Sequence, residues 1–170
     1  FSRLANRHYV GFVQGHSYLD DEKVAGIFSA LNQHDSSQIN QHLEKQIASL
    51  IGSGGVVSFA AARMAFFCLM KHLHIGSGDE VILTGYTCSV MPNAVFKTGA
   101  TPIFSDIDPH TFGSSPAAIE AAITKKTRMI VAQHSFGIPC DIVTIAKLCN
   151  DKDVFLLEDC SITLGSTMND

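Results

Sequence analysis

Residues 79–105 read DEVILTGYTCSVMPNAVFKTGATPIFS, a β-rich run, a helical run and a second β-rich run in direct succession. The two β-rich runs, 80–84 and 101–105, are short and apolar, and turn residues such as those at 76–79 bound them. Strands that alternate with helices pair in parallel. This stretch therefore predicts a strand–helix–strand unit of a parallel sheet.

The same alternation continues on both sides of this stretch. Further strands are predicted at 56–59, 129–132 and 154–158, with helices in the gaps. Ser115-Pro116 predicts a helix start, since it is a side-chain cap followed by proline in the first turn. Asp141 predicts the cap of a helix that runs through Asn150. We expect an α/β fold with three α/β/α layers and one mainly parallel sheet within residues 56–158.

Helical periodicity dominates the amino-terminal part of the chain. Residues 20–33 and 37–51 each place apolar side chains at helical spacing, with no strand between the two runs. Residues 62–74 are apolar on nearly every side, so we expect this helix to be buried between the sheet and a partner surface. The expected organisation is a helical segment, 1–51, followed by an α/β part, 52–170.

The composition excludes several classes of protein. The chain has 170 residues, 46% of them apolar, and a formal net charge of −4, which argues against disorder. Because no basic run exceeds Lys125-Lys126, a nucleic-acid partner is not expected. No segment is apolar for long enough to span a membrane, and Phe1-Ser2-Arg3-Leu4 lacks the apolar core of a signal peptide. We expect a cytoplasmic protein with no membrane partner.

The cysteine pattern agrees with a reducing compartment. Five cysteines, odd in number and without a C-x-x-C pair, predict neither a disulfide framework nor a zinc site. His72 and His74 cannot share a helix face, so they do not predict a metal site either. We therefore expect mostly buried thiols and no metal.

The carboxyl ends of the predicted strands meet at one edge of the sheet, where α/β folds bind their ligands. The residues that follow the five predicted strands are 60–63, 85–88, 106–108, 133–137 and 159–161. Candidate functional residues are sought among them.

A run of small residues, Ala60-Ala61-Ala62, precedes Arg63 at a predicted helix start. Exposed N–H groups and the positive end of the helix dipole would bind an anion there, although small residues also serve simple packing. A guanidinium in the first turn opposes the dipole unless an anion lies nearby, so Arg63 favours the anion site.

Two further residues at this edge allow two interpretations each. Asp159 ends an apolar strand and is either a helix cap or turn residue, or the partner of a protonated ring nitrogen. His134 is either a hydrogen-bonded, half-buried imidazole or a functional group. A cysteine-nucleophile triad of Cys88, His134 and Asp159 has no supporting signature. Nothing matches G-x-G-x-x-G or the P-loop, so nucleotide binding of the Rossmann type has weak support.

An ordered series of motifs resembles the DegT/DnrJ/EryC1/StrS family of sugar aminotransferases, built on pyridoxal-phosphate fold type I. The motifs, within about residues 16–170, are HIGSGDEVI (74–82), YTC (86–88), GATP (99–102), DIDP (106–109), AAIT (121–124), HSFGIPCD (134–141) and LEDC (157–160). The resemblance implies that the chain is an incomplete copy of the large domain of that fold.

The resemblance also implies site residues. Asp159 falls on the aspartate that pairs with the pyridinium nitrogen of pyridoxal 5'-phosphate. Ala62 and Arg63 fall on the phosphate-binding segment, where this chain lacks two hydroxyls and a glycine, and a subset of relatives also has arginine. Cys88 replaces an aromatic ring that stacks on the cofactor, and Ile162 replaces a Gln or His that hydrogen-bonds to the ring hydroxyl.

The lysine that forms the Schiff base in this family lies downstream of Asp159, and this sequence has no lysine after Lys152. The expectation is therefore the amino-terminal part of a longer enzyme, or else a truncated, non-transaminating relative. The resemblance implies a homodimer that transfers an amine from an amino acid to a nucleotide-linked keto-sugar. The alternative from another class is a degenerate binding or dimer scaffold, suggested by Ala62, Cys88 and Ile162.

Overall fold

The computed structural model describes residues 20–33, 36–52 and 54–164. The chain forms two compact units, Phe1–Gln46 and Ile47–Asp170. The division of the chain at residue 51 stays a prediction.

The helices that lead the chain are confirmed. α1 spans Asp21–Gln33 and α2 spans Ser36–Ile51. Asp20 caps α1, because its Oδ1 accepts a hydrogen bond from the Lys23 backbone N–H at 2.8 Å. In the part of the chain described, no helix has both the length and the apolar character needed to cross a membrane.

The second unit alternates helices and strands. Its elements are α3 (Ala62–His72), β1 (Glu80–Thr84), α4 (Val90–Thr98), β2 (Thr101–Ser105), α5 (Pro116–Ala122), β3 (Thr127–Gln133), α6 (Ile142–Lys152) and β4 (Phe155–Asp159). All the strand pairs are parallel, and the order across the sheet is β2-β1-β3-β4. The chain runs outward from β1 to β2, crosses back, and then runs outward from β3 to β4. The direction of winding therefore switches between β1 and β3.

Both faces of the sheet are covered, which confirms the three-layer α/β/α architecture. On β3, Met129 and Val131 pack with α3 and α4, whereas Ile130 and Ala132 pack with α5 and α6. The alternation follows from the two-residue period of a strand, and burial on both faces explains why the inner strands are apolar throughout.

The strand predicted at 56–59 is wrong. Residues 55–59 have no regular secondary structure, and the side chains of Val57 and Phe59 are 73% and 45% exposed. The β-rich composition of this run is not sufficient, because a strand is stabilised by its neighbours in the ladder and by packing on the pleated surface. The described sheet therefore has four strands, where the sequence predicted five.

The helix predicted at 62–74 is partly confirmed. α3 ends at His72, two residues early, and His74 takes a left-handed φ of 56° in the turn toward β1. Phe66 and Met70 are buried against the sheet, but Met64 is 49% exposed. One side of the helix thus belongs to the core and the other faces outward.

The predicted helix caps are confirmed. The Ser115 hydroxyl accepts a hydrogen bond from the Ala118 N–H at 3.4 Å. Asp141 accepts two bonds from Thr144, 3.1 Å from its N–H and 2.7 Å from its hydroxyl. These bonds lower the pKa of Asp141. Side-chain oxygens satisfy N–H groups that have no partner within the helix.

Candidate functional site

α3 and α4 begin at the edge of the sheet where the strands end. They pack side by side on one face of the sheet. Gly76, in the turn after α3, lies against the end of α4, since a Cβ on it would be 3.3 Å from the Thr98 carbonyl oxygen. α4 follows β1 and precedes β2, so its end lies at the amino edge of the sheet, and so does the end of α3. Both helix starts consequently lie at the carboxyl edge.

Asp159 is the last residue of β4 and is half-buried. Its Oδ1 accepts hydrogen bonds from the Ser161 N–H at 3.0 Å and the Ser161 hydroxyl at 2.7 Å. The preceding side chain on the same face, Leu157, packs in the cluster that holds α3 and α4. The Asp159 carboxylate therefore leaves the sheet on the face where these two helices begin.

Cys88 is exposed in the loop between β1 and α4. The neighbouring Thr87 hydroxyl donates a hydrogen bond to Gln133 Oε1 at 2.6 Å. Gln133 ends β3 and is paired in register with Asp159. The loop that carries Cys88 and the strand end that carries Asp159 thus share β3 as their common neighbour.

Ala62 and Arg63 form the first turn of α3, and both are exposed. Ala61 is the cap residue, has extended backbone and offers no side-chain hydrogen bond to the helix. The N–H groups of Met64 and Ala65 return to the Ala61 carbonyl oxygen. Within residues 20–33, 36–52 and 54–164, no hydrogen bond or ion pair joins Arg63 to Asp159 or Cys88.

Ile162 lies in the turn after β4, and its side chain is 61% exposed. A Cβ on Gly137 would be 3.9 Å from the Ile162 carbonyl oxygen, so this turn lies beside the loop between β3 and α6. All five residues that the resemblance implies therefore lie at the carboxyl edge: Asp159 at a strand end, Cys88 and Ile162 in segments that follow strands, and Ala62 and Arg63 at a helix start.

His134 is buried, and both of its ring nitrogens are hydrogen-bonded. Nδ1 accepts the backbone N–H of Cys140 at 3.1 Å, and Nε2 lies 2.7 Å from Oε1 of Glu158. Because Nδ1 accepts a hydrogen bond, the proton of the neutral ring resides on Nε2, which donates to Glu158. The interpretation of His134 as a hydrogen-bonded imidazole is confirmed, although the ring is buried and not half-buried as expected.

Cys160 joins His134 and Glu158 in a group whose potential ligand atoms all lie within 4.8 Å of one another. A metal would need the Nε2 lone pair, which is occupied by the proton in this tautomer, and a thiolate at Cys160. Burial raises the pKa of the Cys160 thiol, with a further contribution from the nearby carboxylates of Glu158 and Asp159. The chemistry of this group therefore suits a hydrogen-bonded link better than a metal centre.

The five cysteines are free, and the expectation that most of them are buried is wrong, because only two of the five are buried. Cys140 and Cys149 are buried and Cys160 is half-buried, whereas Cys68 and Cys88 are exposed. Cys68 lies on the outer side of α3 and Cys88 lies in a loop, so neither position reaches the core. Burial raises the pKa of Cys140 to about 11.

Sequence reasoning missed an aromatic group at the same edge. The rings of Tyr86 and Phe136 lie 5.8 Å apart, and those of Phe112 and Phe136 lie 6.2 Å apart nearly at right angles. All three side chains are about half exposed or more. Phe112 and Phe136 also adopt a left-handed φ of 57°, which is unusual for a bulky residue. Their positions in three separate loops after strands are a signal that could have identified them.

A groove of about 540 Å³ opens at the opposite edge of the sheet, between the end of α6 and the start of β4. Its lining includes Arg128, Asn150, Asp153 and Phe155. It contains none of the residues implied as a site, so this groove and the carboxyl-edge group are separate features.

Comparison with known families gives a match over nearly the whole chain. The family model described as the DegT/DnrJ/EryC1/StrS aminotransferase family matches residues 20–170.

Curated proteins similar to this chain include two enzymes named for nucleotide-sugar chemistry. UDP-N-acetyl-3-dehydro-alpha-D-glucosamine 3-aminotransferase of Acidithiobacillus ferrooxidans is 35% identical over 89% of this chain and 42% of its own length. GDP-perosamine synthase of Escherichia coli is 40% identical over 67% of this chain and 29% of its own length. The chain thus spans less than half of either relative.

Solved structures resemble this fold as well. An aminotransferase from Psychrobacter cryohalolentis superposes with a TM-score of 0.82 and 31% identity, over 88% of this chain and 39% of that one. NtdA from Bacillus subtilis, solved with bound cofactor PMP, superposes with a TM-score of 0.80 and 27% identity, over 88% of this chain and 36% of that one.

Proposed function

The chain belongs to the DegT/DnrJ/EryC1/StrS aminotransferase family, and on this premise we propose that it is the amino-terminal segment of a pyridoxal-phosphate-dependent aminotransferase. The acceptor is a nucleotide-linked keto-sugar and the amine donor is an amino acid. This proposal is supported by the names of the relatives, since one is a 3-aminotransferase of a UDP-linked dehydro-sugar and another is a GDP-perosamine synthase.

The observation that supports a cofactor site most directly is the position of Asp159. Its carboxylate leaves the end of β4 on the face where α3 and α4 begin. Oδ1 is held by Ser161, and Oδ2 has no hydrogen-bond partner within the described residues. A fixed carboxylate with one free oxygen suits a protonated ring nitrogen, because the oxygen accepts the N–H hydrogen bond and a nearby negative charge favours the charged form.

The phosphate of the cofactor would lie at the start of α3. The exposed first turn offers the positive end of a helix dipole, and Arg63 supplies a guanidinium. Ala62 contributes a backbone N–H only. Phosphate binding through backbone groups and one arginine is consistent with these residues, although the hydroxyls typical of the family are absent.

When bound, pyridoxal phosphate acts as an electron sink for the bond changes of amine transfer. In this chain, Asp159 would keep the proton on the ring nitrogen and Arg63 would hold the phosphate. Cys88 would lie against the ring face, and Ile162 would exclude water beside the ring without donating a hydrogen bond. These are roles of binding, orientation and proton retention.

The family assignment also supports a homodimer and a cytoplasmic location, which we include in the proposal.

A catalytically silent scaffold is the second candidate. It is favoured by three observations at the proposed site: no side-chain cap at the start of α3, an exposed thiol at Cys88 and an aliphatic side chain at Ile162.

The experiment that separates the two candidates uses the complete gene product. Pyridoxal phosphate is titrated into the protein and its absorbance spectrum recorded, and UDP- and GDP-linked keto-sugars are then incubated with an amino acid donor. We expect saturable cofactor binding and formation of an amino sugar detectable by mass spectrometry. Absence of both would replace the aminotransferase proposal with the scaffold.

A further inference from the structure

The side-chain amide of Gln133 connects two loops at the carboxyl edge. Its Oε1 accepts a hydrogen bond from the Thr87 hydroxyl at 2.6 Å. Its Nε2 donates to the Tyr86 carbonyl oxygen and to the Ser135 hydroxyl, both at 3.2 Å. One side chain thereby binds the loop between β1 and α4 and the loop between β3 and α6.

The backbone of Gln133 connects a third loop. Its N–H donates to the Ser114 hydroxyl at 2.9 Å, and its carbonyl oxygen accepts the Ser114 N–H at 3.3 Å. The Ser114 hydroxyl also lies 2.5 Å from that of Thr84 at the end of β1. Since Thr84, Ser114 and Ser135 are all buried, these hydroxyls depend on one another and on Gln133 for their hydrogen bonds.

The orientation of the Gln133 amide follows from its partners. The Tyr86 carbonyl oxygen can only accept, so the NH₂ group must face it. The Thr87 hydroxyl, on the other side of the amide, then donates to the oxygen. These partners therefore require one donor and one acceptor at fixed places on the side chain at position 133, and neither an aliphatic side chain nor a carboxylate supplies both.

Gln133 lies where the sheet changes its direction of winding. β1 and β3 are adjacent, but α4 leaves β1 toward one face and α6 leaves β3 toward the other. The crevice at such a switch point is where open α/β sheets bind ligands. Gln133 spans this crevice toward Thr87, the neighbour of Cys88, and is paired in register with Asp159.

We propose that Gln133 is a positioning residue of the cofactor site, which holds the loop of Cys88 at a fixed distance from the Asp159 carboxylate. The inference rests on the proposed function, because it takes Cys88 and Asp159 as the residues that lie against the cofactor ring. In-register neighbours on adjacent strands are about 5 Å apart, so Gln133 and Asp159 project side by side from the same face.

The test is a double-mutant cycle in the complete protein, with Gln133→Leu, Thr87→Val and the double variant. The readout is the dissociation constant of pyridoxal phosphate, measured by absorbance titration. Each single variant should raise this constant by about threefold to tenfold, the equivalent of one lost hydrogen bond. The double variant should be little worse than Gln133→Leu alone, since the hydrogen bond that Thr87→Val removes is already lost in Gln133→Leu.

Thr111→Val is the matched control, because it makes the same chemical change in another carboxyl-edge loop and, among the described residues, its hydroxyl bonds only within that loop. Its dissociation constant should equal that of the wild type. The thermal midpoint of each variant without cofactor separates general destabilisation from positioning. The inference is supported if Gln133→Leu and Thr87→Val lower the thermal midpoint no more than Thr111→Val does, and if these two variants weaken cofactor binding while Thr111→Val does not.

Two results would overturn it. One is an unchanged dissociation constant in Thr87→Val. This result can be obtained even if Gln133→Leu does not fold, because Thr87 is half-exposed and tolerates substitution better. The other is full additivity of the two single effects. A wild type that binds no pyridoxal phosphate would instead refute the proposed function together with the inference, whereas normal wild-type binding with unaffected variants refutes the inference alone.

Discussion

Glu158 and Asp159 are consecutive on β4, but their side chains leave opposite faces of the sheet. The register pairs Glu158 with Ala132, which packs with α5 and α6, and pairs Asp159 with Gln133. Glu158 accepts a hydrogen bond from His134 at 2.7 Å, whereas Asp159 faces the starts of α3 and α4. The two carboxylates therefore have separate tasks, and substitution of each should have a separate effect.

Asp159→Asn should reduce turnover of the complete enzyme by about tenfold to a hundredfold, the equivalent of one charge-assisted hydrogen bond. Asparagine still forms hydrogen bonds but lacks the charge that retains the proton on the ring nitrogen, so cofactor occupancy should fall much less. Glu158→Gln is the matched variant and should stay within about threefold of wild type, since its amide oxygen still accepts from His134. Single-turnover rates and a cofactor titration measure both effects. Normal transamination by Asp159→Asn would refute the assigned role.

His134→Leu should lower the free energy of unfolding by about 2 to 3 kcal/mol, because the buried Cys140 N–H then loses its acceptor. His134→Asn should lower it less, since the asparagine oxygen occupies a position close to Nδ1 and accepts the same N–H. Equilibrium urea unfolding with unchanged slope measures the difference. Equal losses in the two variants would show that the Cys140 hydrogen bond is not the cause.

Most of the fold could be predicted because its signals are local. Four strands and the caps at Ser115 and Asp141 follow from short apolar runs and from side chains that act within four residues. The run at 56–59 has the same local composition as a strand, but a strand also requires a partner in the ladder, and no described neighbour supplies one.

The site was less accessible from the sequence. Strand order placed Cys88 and Asp159 at one edge, but the hydrogen bond that links their surroundings joins Thr87 to Gln133, 46 positions away. Spacing along the chain contains no information on such pairs. The one local signal for Gln133 was its polar side chain at the end of the apolar strand β3. His134, the next residue, is polar as well, so this signal does not distinguish the two.

Arg63→Ala should weaken binding of pyridoxal phosphate by about 1.5 to 3 kcal/mol, typical of a hydrogen bond to a charged group. Binding of pyridoxal, which lacks the phosphate, should be unaffected, so the difference between the two ligands isolates the phosphate contact. Lys71→Ala is the control, because it removes a cation from the opposite end of the same helix. Equal weakening for both ligands, or for both variants, would assign Arg63 to a general electrostatic effect.

Cys140 should make the protein less stable in alkali. Burial raises the pKa of its thiol to about 11 in the folded state, above the pKa of 9.0 of an exposed thiol. Below pH 9 both states keep the proton and stability is complete, whereas between pH 9 and 11 the unfolded state loses it first and is favoured. The loss should reach about 2 kcal/mol at pH 11, where half of the folded thiol still keeps its proton, at 1.36 kcal/mol for each pKa unit. Urea unfolding of wild type and Cys140→Ala at pH 8, 9, 10 and 11 measures this loss as the difference between the two proteins, since other alkaline titrations are common to both.

Cys68→Ala, which removes an exposed thiol, is the control and should show the same dependence of unfolding free energy on pH as the wild type. A Cys140→Ala profile parallel to that of wild type would mean that this thiol is not the group that titrates.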